Sequence, residues 1–429
     1  MKRSLALVVA IFAVLAAVGL PAYAQTINAT LEGRVFDTTG AALPNATVTA
    51  VSTSIGLTRS ATSSGGGDYA IPGLPVGEYT VTAEHSGFKK DSRKVVLQIG
   101  QNAAVNFNLQ VGQVEQQVSV EAQSELLEPT RTSVSSVITE VQIDSLPVNG
   151  RQFIDFALLA PGVTVGETTS GSTDVIIEPV TKISFAGQNI HYNLVAIDGA
   201  DNMSTASGVQ NTTPSQEAVQ EFRVINTQYS AEAGRAVAGI VNIITKSGTN
   251  DWHGSAYLYH RNDVLDEPSI LASPNLDRLD TCNTPGVLAS GGCELLDKLV
   301  QNQYGFTLGG PVKKDKFFIF GNYEGQRRRE NPFYNSIVIQ NFDLINQTKC
   351  TLFGVFPFVD FDSCPTGSLP LENPNQIRTF DYDQFLVKAD APLSDHHYVF
   401  VRYFFNDANL LNQSPLNNGF DLPSAFKNN

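Results

Sequence analysis

The sequence is poor in charge, in basic residues and in cysteine. Only 16% of its 429 residues are charged, and 28 Lys and Arg stand against 42 Asp and Glu, a net charge of −14. Such a small charged fraction argues against a disordered chain, which combines low hydrophobicity with high net charge. The deficit of basic residues argues against nucleic acid as a partner, because phosphate binding needs a basic surface. Four Cys are too few for a disulfide framework, although they suffice for two bridges in an oxidising compartment.

Motifs of catalysis and cofactor binding are missing as well. The sequence has no Gly-rich phosphate loop followed by Lys and Ser or Thr, no His-Glu-x-x-His and no Gly-x-Ser-x-Gly. It has no Cys-x-x-Cys for zinc, and Asp360 and Asp362 are too few carboxylates for a calcium cage. We therefore expect no enzyme, no cofactor and no metal site.

The N-terminus predicts secretion. Lys2 and Arg3 precede an apolar run from Leu5 to Leu20, and Pro21-Ala22-Tyr23-Ala24 ends it with small residues. This is the pattern of a signal peptide over residues 1–24, cleaved after Ala24. The alternative, a membrane anchor, usually requires about 20 apolar residues. No later segment is apolar enough for a spanning helix, so any membrane-embedded part would have to be a β-barrel.

Residues 25–112 alternate between short β-prone segments and Gly- or Pro-rich turns, with the spacing of roughly 8–12 residues that is typical of a β-sandwich. Two runs carry a more specific signal: Gly33-Arg34-Val35 with Leu43-Pro44-Asn45-Ala46, and Gly67-Asp68-Tyr69 with Ile71-Pro72-Gly73-Leu74 and Gly77-Glu78-Tyr79. They resemble the carboxypeptidase-regulatory-like (prealbumin-like) domain. The resemblance implies a non-catalytic sandwich.

Residues 126–250 predict a mixed α/β domain. We expect a short helix over Phe153–Leu159, a second helix that begins after the N-cap Ser215, and strands at Glu221–Ile225 and Gly239–Gly248. Several motifs follow in order: Leu146-Pro147 with Asn149-Gly150-Arg151, Leu159–Val163, Ile197-Asp198-Gly199, Ala218–Phe222, Ala233-Gly234-Arg235 and Val241–Asn250. They resemble the plug domain of TonB-dependent outer-membrane receptors. A sandwich before a plug is similar to the Oar-like branch of that family.

Residues 113–125 form a polar, β-prone linker. Such a peptide is suited to capture by strand addition, and the alternative is one more edge strand or a plain linker. The family resemblance implies that this segment contains the TonB box, the peptide on which the energising TonB-ExbB-ExbD complex acts. The candidate residues are Gln117, Val118, Ser119, Val120, Glu121 and Ala122.

Residues 251–429 predict the first strands of a transmembrane β-barrel. Five amphipathic strands are expected at Trp252–Arg261, Gln303–Gly309, Lys316–Gly325, Gln384–Asp390 and Tyr398–Asn406. Short and long connections alternate between them, as periplasmic turns and outer loops do in such barrels. All four cysteines fall in the long loops, where one bridge per loop is the economical pairing: Cys282 with Cys293, and Cys350 with Cys364. Four unpaired thiols are the alternative.

Together these features predict a mainly β protein: an N-terminal β-sandwich, a mixed α/β plug domain and an incomplete transmembrane β-barrel. Because five strands would leave open edges in lipid, we expect the sequence to be a fragment. The resemblance implies active uptake of a ligand (an oligosaccharide, a peptide or an iron chelate) across the outer membrane of a Gram-negative bacterium. Its partners would be outer-membrane lipid and the TonB-ExbB-ExbD complex. A non-transporting adhesion or structural protein of the cell surface is the alternative.

Overall fold

The computed structural model describes residues 28–112, 118–120, 133–166, 182–204, 210–227, 236–265, 299–330, 378–394, 397–411 and 425–427. The predicted signal peptide, the four cysteines and three candidate TonB-box residues (Gln117, Glu121 and Ala122) lie outside these ranges. The chain divides into two compact units. The first contains residues 1–172, 180–246 and 392–397, and the second contains residues 173–179, 247–391 and 398–429.

The N-terminal part of the first unit is a sandwich of two sheets. One sheet has the strand order β4-β1-β7 with β8 also paired to β1, and the other has the order β3-β2-β5-β6-β9. The strands are β1 (Ala29–Asp37), β2 (Thr47–Ser52), β3 (Thr58–Thr62), β4 (Asp68–Leu74), β5 (Gly77–Glu84), β6 (Asp91–Leu97), β7 (Asn102–Ala104), β8 (Phe107–Leu109) and β9 (Val118–Val120). Leu31, Tyr79 and Phe107 are almost fully buried between the sheets. Burying each such side chain contributes about 1.5–3 kcal/mol.

The remainder of the first unit, which we call the central domain, is built on a five-stranded sheet of order β10-β15-β16-β13-β14. Its strands are β10 (Val134–Ile138), β13 (Asn193–Ile197), β14 (Ala200–Asp201), β15 (Val219–Thr227) and β16 (Gly239–Thr245). A separate hairpin joins β11 (Val163–Val165) to β12 (Ile183–Phe185). Strand β16 is buried along its whole length, which explains why its residues are apolar except Asn242 and Thr245.

Of the two helices predicted in the central domain, one forms and the other does not. Helix α1 (Glu140–Ser145) begins with a capping box between Thr139 and Gln142. The predicted helix over Phe153–Leu159 is present as a 3₁₀ helix with those bounds. The helix predicted after Ser215 was wrong: only a 3₁₀ turn over Gln216–Ala218 forms, and the Ser215 side chain makes no capping hydrogen bond. The apolar, β-prone residues from Val219 onward pair with β16 instead, so strand formation ends the turn.

The second unit contains a six-stranded antiparallel sheet in sequential order, β17 to β22. Its strands are β17 (His253–Asn262), β18 (Leu299–Lys313), β19 (Phe317–Glu330), β20 (Arg378–Pro392), β21 (Tyr398–Leu411) and β22 (Ala425–Lys427). Five of them match the predicted strands but are mostly longer, and β22 was not predicted. The connections after β18 and β20 are short and those after β17 and β19 are long, which confirms the predicted alternation.

Two kinds of feature are absent from the described residues. In the ranges given above, no helix has the length and apolar character needed to span a membrane. The same ranges contain no group of three or more His, Cys, Asp and Glu side chains arranged to hold a metal ion.

Candidate functional site

The candidate energy-coupling segment forms an edge strand of the sandwich. Strand β9 runs parallel to β6, with Val118 opposite Asp91 and Val120 opposite Arg93. It ends the strand order of its sheet, and within the described part of the chain it pairs with β6. An edge strand of this kind has a row of backbone groups on its outer side that another strand can engage. The backbone therefore has the form of the edge-strand alternative, and a role in energy coupling stays a prediction.

One face of the second unit's sheet is apolar and exposed. Phe306, Tyr323 and Phe385 of adjacent strands are paired on this face, which confirms that the predicted strands are amphipathic. Phe385 of β20 contacts Tyr403 and Phe405 of β21, with ring centroids 5.7 and 6.1 Å apart. The large exposed side chains on this face are Leu258, Phe306, Leu308, Phe317, Phe385, Val399, Val401, Tyr403 and Phe405. A continuous apolar face of this size is suited to contact with lipid.

The opposite face, which we call the polar face because it carries the buried ionisable side chains, also contains the buried apolar residues Phe318, Phe320 and Leu386. Glu324 of β19 lies at its centre and is 4% exposed. Tyr257 Oη of β17 donates to Glu324 Oε2 at 2.7 Å, and Gln384 Nε2 of β20 donates to Glu324 Oε1 at 2.8 Å. Both carboxylate oxygens are thus satisfied by neighbouring strands, which makes burial of the charge tolerable. The carboxylate network ties three strands together on the polar face.

A second polar cluster lies on the same face, near the end of β20. Asp390 is 1% exposed and accepts a hydrogen bond from Tyr398 Oη at 3.2 Å. The Ser247 hydroxyl lies 3.4 Å from the same Asp390 oxygen. Lys388, on the same strand as Asp390, places its ammonium 5.2 Å from the centroid of the Phe400 ring. The buried ionisable residues Glu324, Lys388 and Asp390 thus lie on the face opposite the large exposed apolar side chains, as is typical of a barrel wall.

The arginine run at the end of β19 is paired across the strands. Arg327 binds both carboxylate oxygens of Asp383, at 2.9 and 2.8 Å. Arg329 binds Asp381 in the same way, at 2.6 and 3.1 Å. Arg328, whose side chain lies on the other face, pairs with Glu330. In the structure each arginine faces a carboxylate of its own sheet.

The segment that leads into the sheet is held tightly against it. A Cβ atom added to Gly248 would lie 2.5 Å from the Ile319 carbonyl oxygen and 2.7 Å from that of Gly310. Asn250 exchanges two hydrogen bonds with Asp315, in the turn between β18 and β19. Trp252 lies over Gly310, since a Cβ there would meet the indole ring at 2.4 Å. Close packing therefore explains the glycine at position 248, and the bonds to Asp315 explain the asparagine at position 250.

Asp198 and Gly199 form a turn between β13 and β14 in the central domain. Asp198 has φ of 46° and Gly199 has φ of 82°, so both adopt the left-handed conformation. The Asp198 side chain is buried and accepts hydrogen bonds from the Thr245 amide at 3.0 Å and the Thr245 hydroxyl at 2.7 Å. These bonds fasten the β13–β14 turn to the end of β16. The Asp198 carboxylate therefore has a structural role in this turn.

Comparison with known proteins connects these features to a family. Residues 30–110 match the carboxypeptidase regulatory-like domain, and residues 244–349 match the outer membrane beta barrel domain. The chain is 27% identical over 316 residues to the TonB-dependent transporter Oar of Myxococcus xanthus, which covers 71% of this chain and 27% of the relative. It is 26% identical over 204 residues to a probable TonB-dependent siderophore receptor, PirA of Acinetobacter baumannii, which covers 44% of this chain and 22% of the relative.

Among solved structures, the PirA siderophore receptor of Acinetobacter baumannii aligns with a TM-score of 0.40 and 17% identity, over 66% of this chain and 33% of that one. The transporter YddB of Escherichia coli aligns with a TM-score of 0.42 and 14% identity, over 66% of this chain and 34% of that one. The chain spans about a quarter of the length of the two curated relatives.

The chain therefore carries a carboxypeptidase regulatory-like domain and an outer membrane β-barrel domain, and it is homologous to TonB-dependent transporters. These relatives are transporters and receptors, not enzymes. The barrel domain and the TonB-dependent relatives assign the protein to the outer membrane of a Gram-negative bacterium.

Proposed function

We propose that this protein is a TonB-dependent outer-membrane receptor that takes up a ligand actively. The observation that carries the proposal is the similarity to a TonB-dependent transporter over 316 residues. The sheet of the second unit supports it, because that sheet has one apolar exposed face and one polar buried face. The central domain would act as the plug, with the sandwich on the periplasmic side.

The TonB-ExbB-ExbD complex would act on the receptor at the candidate TonB box, Gln117–Ala122. Strand addition needs a peptide that offers free backbone groups along one side. Val118–Val120 is already extended, and it ends its sheet. TonB would engage this strand, and the pull of the TonB-ExbB-ExbD complex would then rearrange the plug and admit the ligand to the periplasm.

The ligand belongs to one of three classes: iron chelates, oligosaccharides or peptides. An iron chelate is supported by one relative, which is a probable siderophore receptor. Oligosaccharide or peptide cargo is the expectation for receptors that carry a sandwich domain. The ligand would be captured by the outer loops and the apices of the plug.

Site-directed cross-linking tests the proposal without knowledge of the ligand. Ser119→Cys would be expressed in the native host together with TonB that carries a cysteine in its periplasmic domain. We expect a disulfide-linked species on non-reducing gels. Thr58→Cys, on the opposite edge strand of the same sheet, is the matched control and should give none.

Uptake measurements separate the proposal from the surface-adhesion alternative. Cells with and without the gene would be given ⁵⁵Fe-loaded siderophore, a fluorescent oligosaccharide and a fluorescent peptide, each with and without a protonophore. Protonophore-sensitive accumulation that needs the gene supports transport. Absence of the cross-link, together with surface binding that the protonophore leaves unchanged, would establish the adhesive function instead.

A further inference from the structure

Two buried charged side chains of the central domain contact one turn of the sandwich. The turn Gln98–Gln101 connects β6 to β7. The carboxylate of Glu221, on β15, accepts a hydrogen bond from the Ile99 amide. The guanidinium of Arg223, two residues further along β15, donates to the Gly100 carbonyl at 3.0 Å. Glu221 is 8% exposed and Arg223 is 4% exposed, so both charges are removed from water at this contact.

The sandwich turn is organised by its own hydrogen bonds. The Gln101 side chain accepts from the Gln98 amide at 2.9 Å, and the Gln101 amide donates to the Gln98 carbonyl at 3.1 Å. Gly100 has φ of 58°, a conformation that glycine adopts without strain. The turn therefore presents one amide and one carbonyl to the central domain in fixed positions.

We propose that Glu221 and Arg223 form a latch that docks the sandwich on β15 of the central domain, and that closure of this latch takes up one proton at Glu221. The latch is defined by these two side chains and the turn Gln98–Gln101. Strand β15 lies between β10 and β16, so docking connects the sandwich to the interior of the sheet rather than to an edge. The proposal concerns this chain alone and does not depend on the proposed transport function.

The charges around Glu221 explain the proton. Arg223 favours its ionised form, whereas Glu140 at the start of α1 opposes it, and Glu140 is itself paired with Lys246 at 2.7 Å. The sandwich contributes only the neutral Ile99 amide to the described contacts. Burial outweighs the favourable contacts and raises the pKa of Glu221 from 4.5 to about 7.

The direction of the pH dependence follows from this shift. In the open state Glu221 meets water and has its ordinary pKa of 4.5, so between that pH and about 7 only the closed state holds the proton. The closing equilibrium is therefore most favourable below 4.5, weakens by about tenfold per pH unit as the pH rises toward 7, and is level above that. Acid closes the latch and neutral pH loosens it.

Hydrogen exchange of the purified, detergent-solubilised chain tests the latch. The protection of the Ile99 amide, corrected for intrinsic exchange, would be measured at residue level between pH 5 and 8. In the wild-type chain we expect protection to fall by about tenfold per unit up to pH 7 and then to level off. Glu221→Gln keeps an acceptor but cannot ionise, so it should remain protected with no slope. Protection that is independent of pH in the wild type, or a slope that persists in Glu221→Gln, would overturn the proposal.

Two further variants make the experiment decisive. Glu84→Gln removes an exposed carboxylate of the sandwich and should leave the wild-type slope unchanged. Arg223→Lys should lower Ile99 protection at every pH, because a lysine cannot reproduce the guanidinium geometry at Gly100.

Amides of β16 in the same samples report whether the central domain is folded. If Glu221→Gln fails that check, Glu221→Asp takes its place: the shorter side chain loses its reach to Ile99, and unchanged protection there would contradict the latch.

Discussion

Asn250 and Asp315 exchange two hydrogen bonds although they are far apart in sequence. Asn250 Nδ2 donates to Asp315 Oδ1 at 2.7 Å, and the Asp315 amide donates to Asn250 Oδ1 at 2.8 Å. Asp315 has φ of 60°, so this residue holds the tight turn between β18 and β19 in a left-handed conformation. The side chain that precedes β17 thus fixes the turn of the next hairpin.

Asn250→Ala removes both bonds, and we expect it to lower the free energy of unfolding by about 1–2 kcal/mol. Urea unfolding of the purified protein measures the loss. Lys314→Ala, an exposed change in the same turn, is the matched control and should have little effect. An equal loss in the two variants would show that the turn does not depend on Asn250.

Gly248→Ala tests the close approach of the entering segment to the sheet. The added methyl group would meet the carbonyl oxygens of Ile319 and Gly310 at 2.5 and 2.7 Å, so the backbone must shift, and we expect a loss of about 1–3 kcal/mol. The measurement is the fraction of protein that runs as the compact, heat-modifiable species on gels. Gly65→Ala in the sandwich, where a Cβ meets nothing within 4 Å, should leave that fraction unchanged. A normal compact fraction in Gly248→Ala would contradict the packing described here.

Thr245→Val should weaken the central domain, because it removes a hydroxyl donor from the buried Asp198 carboxylate. A hydrogen bond to a charged group contributes about 1.5–3 kcal/mol, and hydrogen exchange of the β16 amides measures the change. Thr213→Val is a sharp control. In the described part of the chain the buried Thr213 hydroxyl has no partner, so this change should be neutral or stabilising. Equal effects at both positions would rule out the Asp198 bond as the cause.

The Arg327–Asp383 pair should show measurable coupling in a double-mutant cycle. Partly exposed pairs contribute about 0.2–1 kcal/mol, and the two-bond geometry favours the upper end. Urea unfolding of Arg327→Ala, Asp383→Ala and the double variant gives the coupling energy. The pair Arg34–Asp68 of the sandwich is more exposed, at 60% and 58%, and should couple less. If the order of the two couplings is reversed, the cross-strand pair does not stabilise the sheet.

The sequence predicts the sheet of the second unit well because each strand separates two environments. Alternation in β20 placed Phe385 and Val387 opposite Gln384 and Lys388, as observed. Strand ends were harder to predict. The sequence predicts that the second strand ends at Gly309, yet β18 continues past Pro311 to Lys313, because an irregularity in the register between Pro311 and Lys313 accommodates the missing N–H donor.

Strand β4 shows the same limit in the sandwich. Its Pro72 and Gly73 are typical of a turn, and the sequence did not predict a strand there. It lies at the edge of its sheet and pairs with β1, and edge strands tolerate proline. Whether a strand lies at the edge of its sheet depends on which other strands pair with it. The sequence of the strand itself does not contain that information.

The polar networks were beyond sequence reasoning for a different reason. Glu324, Tyr257 and Gln384 come from three strands, and their contact depends on the register of two ladders. The Glu221 contact with Ile99 joins two domains more than a hundred residues apart. A polar residue on an otherwise β-prone strand is the only sequence signal that these contacts leave, and the topology sets the partner.

The position of Trp252 gives the protein an optical reporter of its own. It is the only tryptophan in the chain, it is 60% exposed, and it lies over Gly310 at the entrance to β17. Intrinsic tryptophan emission from the whole protein therefore comes from a single point, next to the segment that fastens the sheet. A change in its wavelength or quenching reports on that junction without any label, whether the cause is a lipid, a ligand or a pull on the chain.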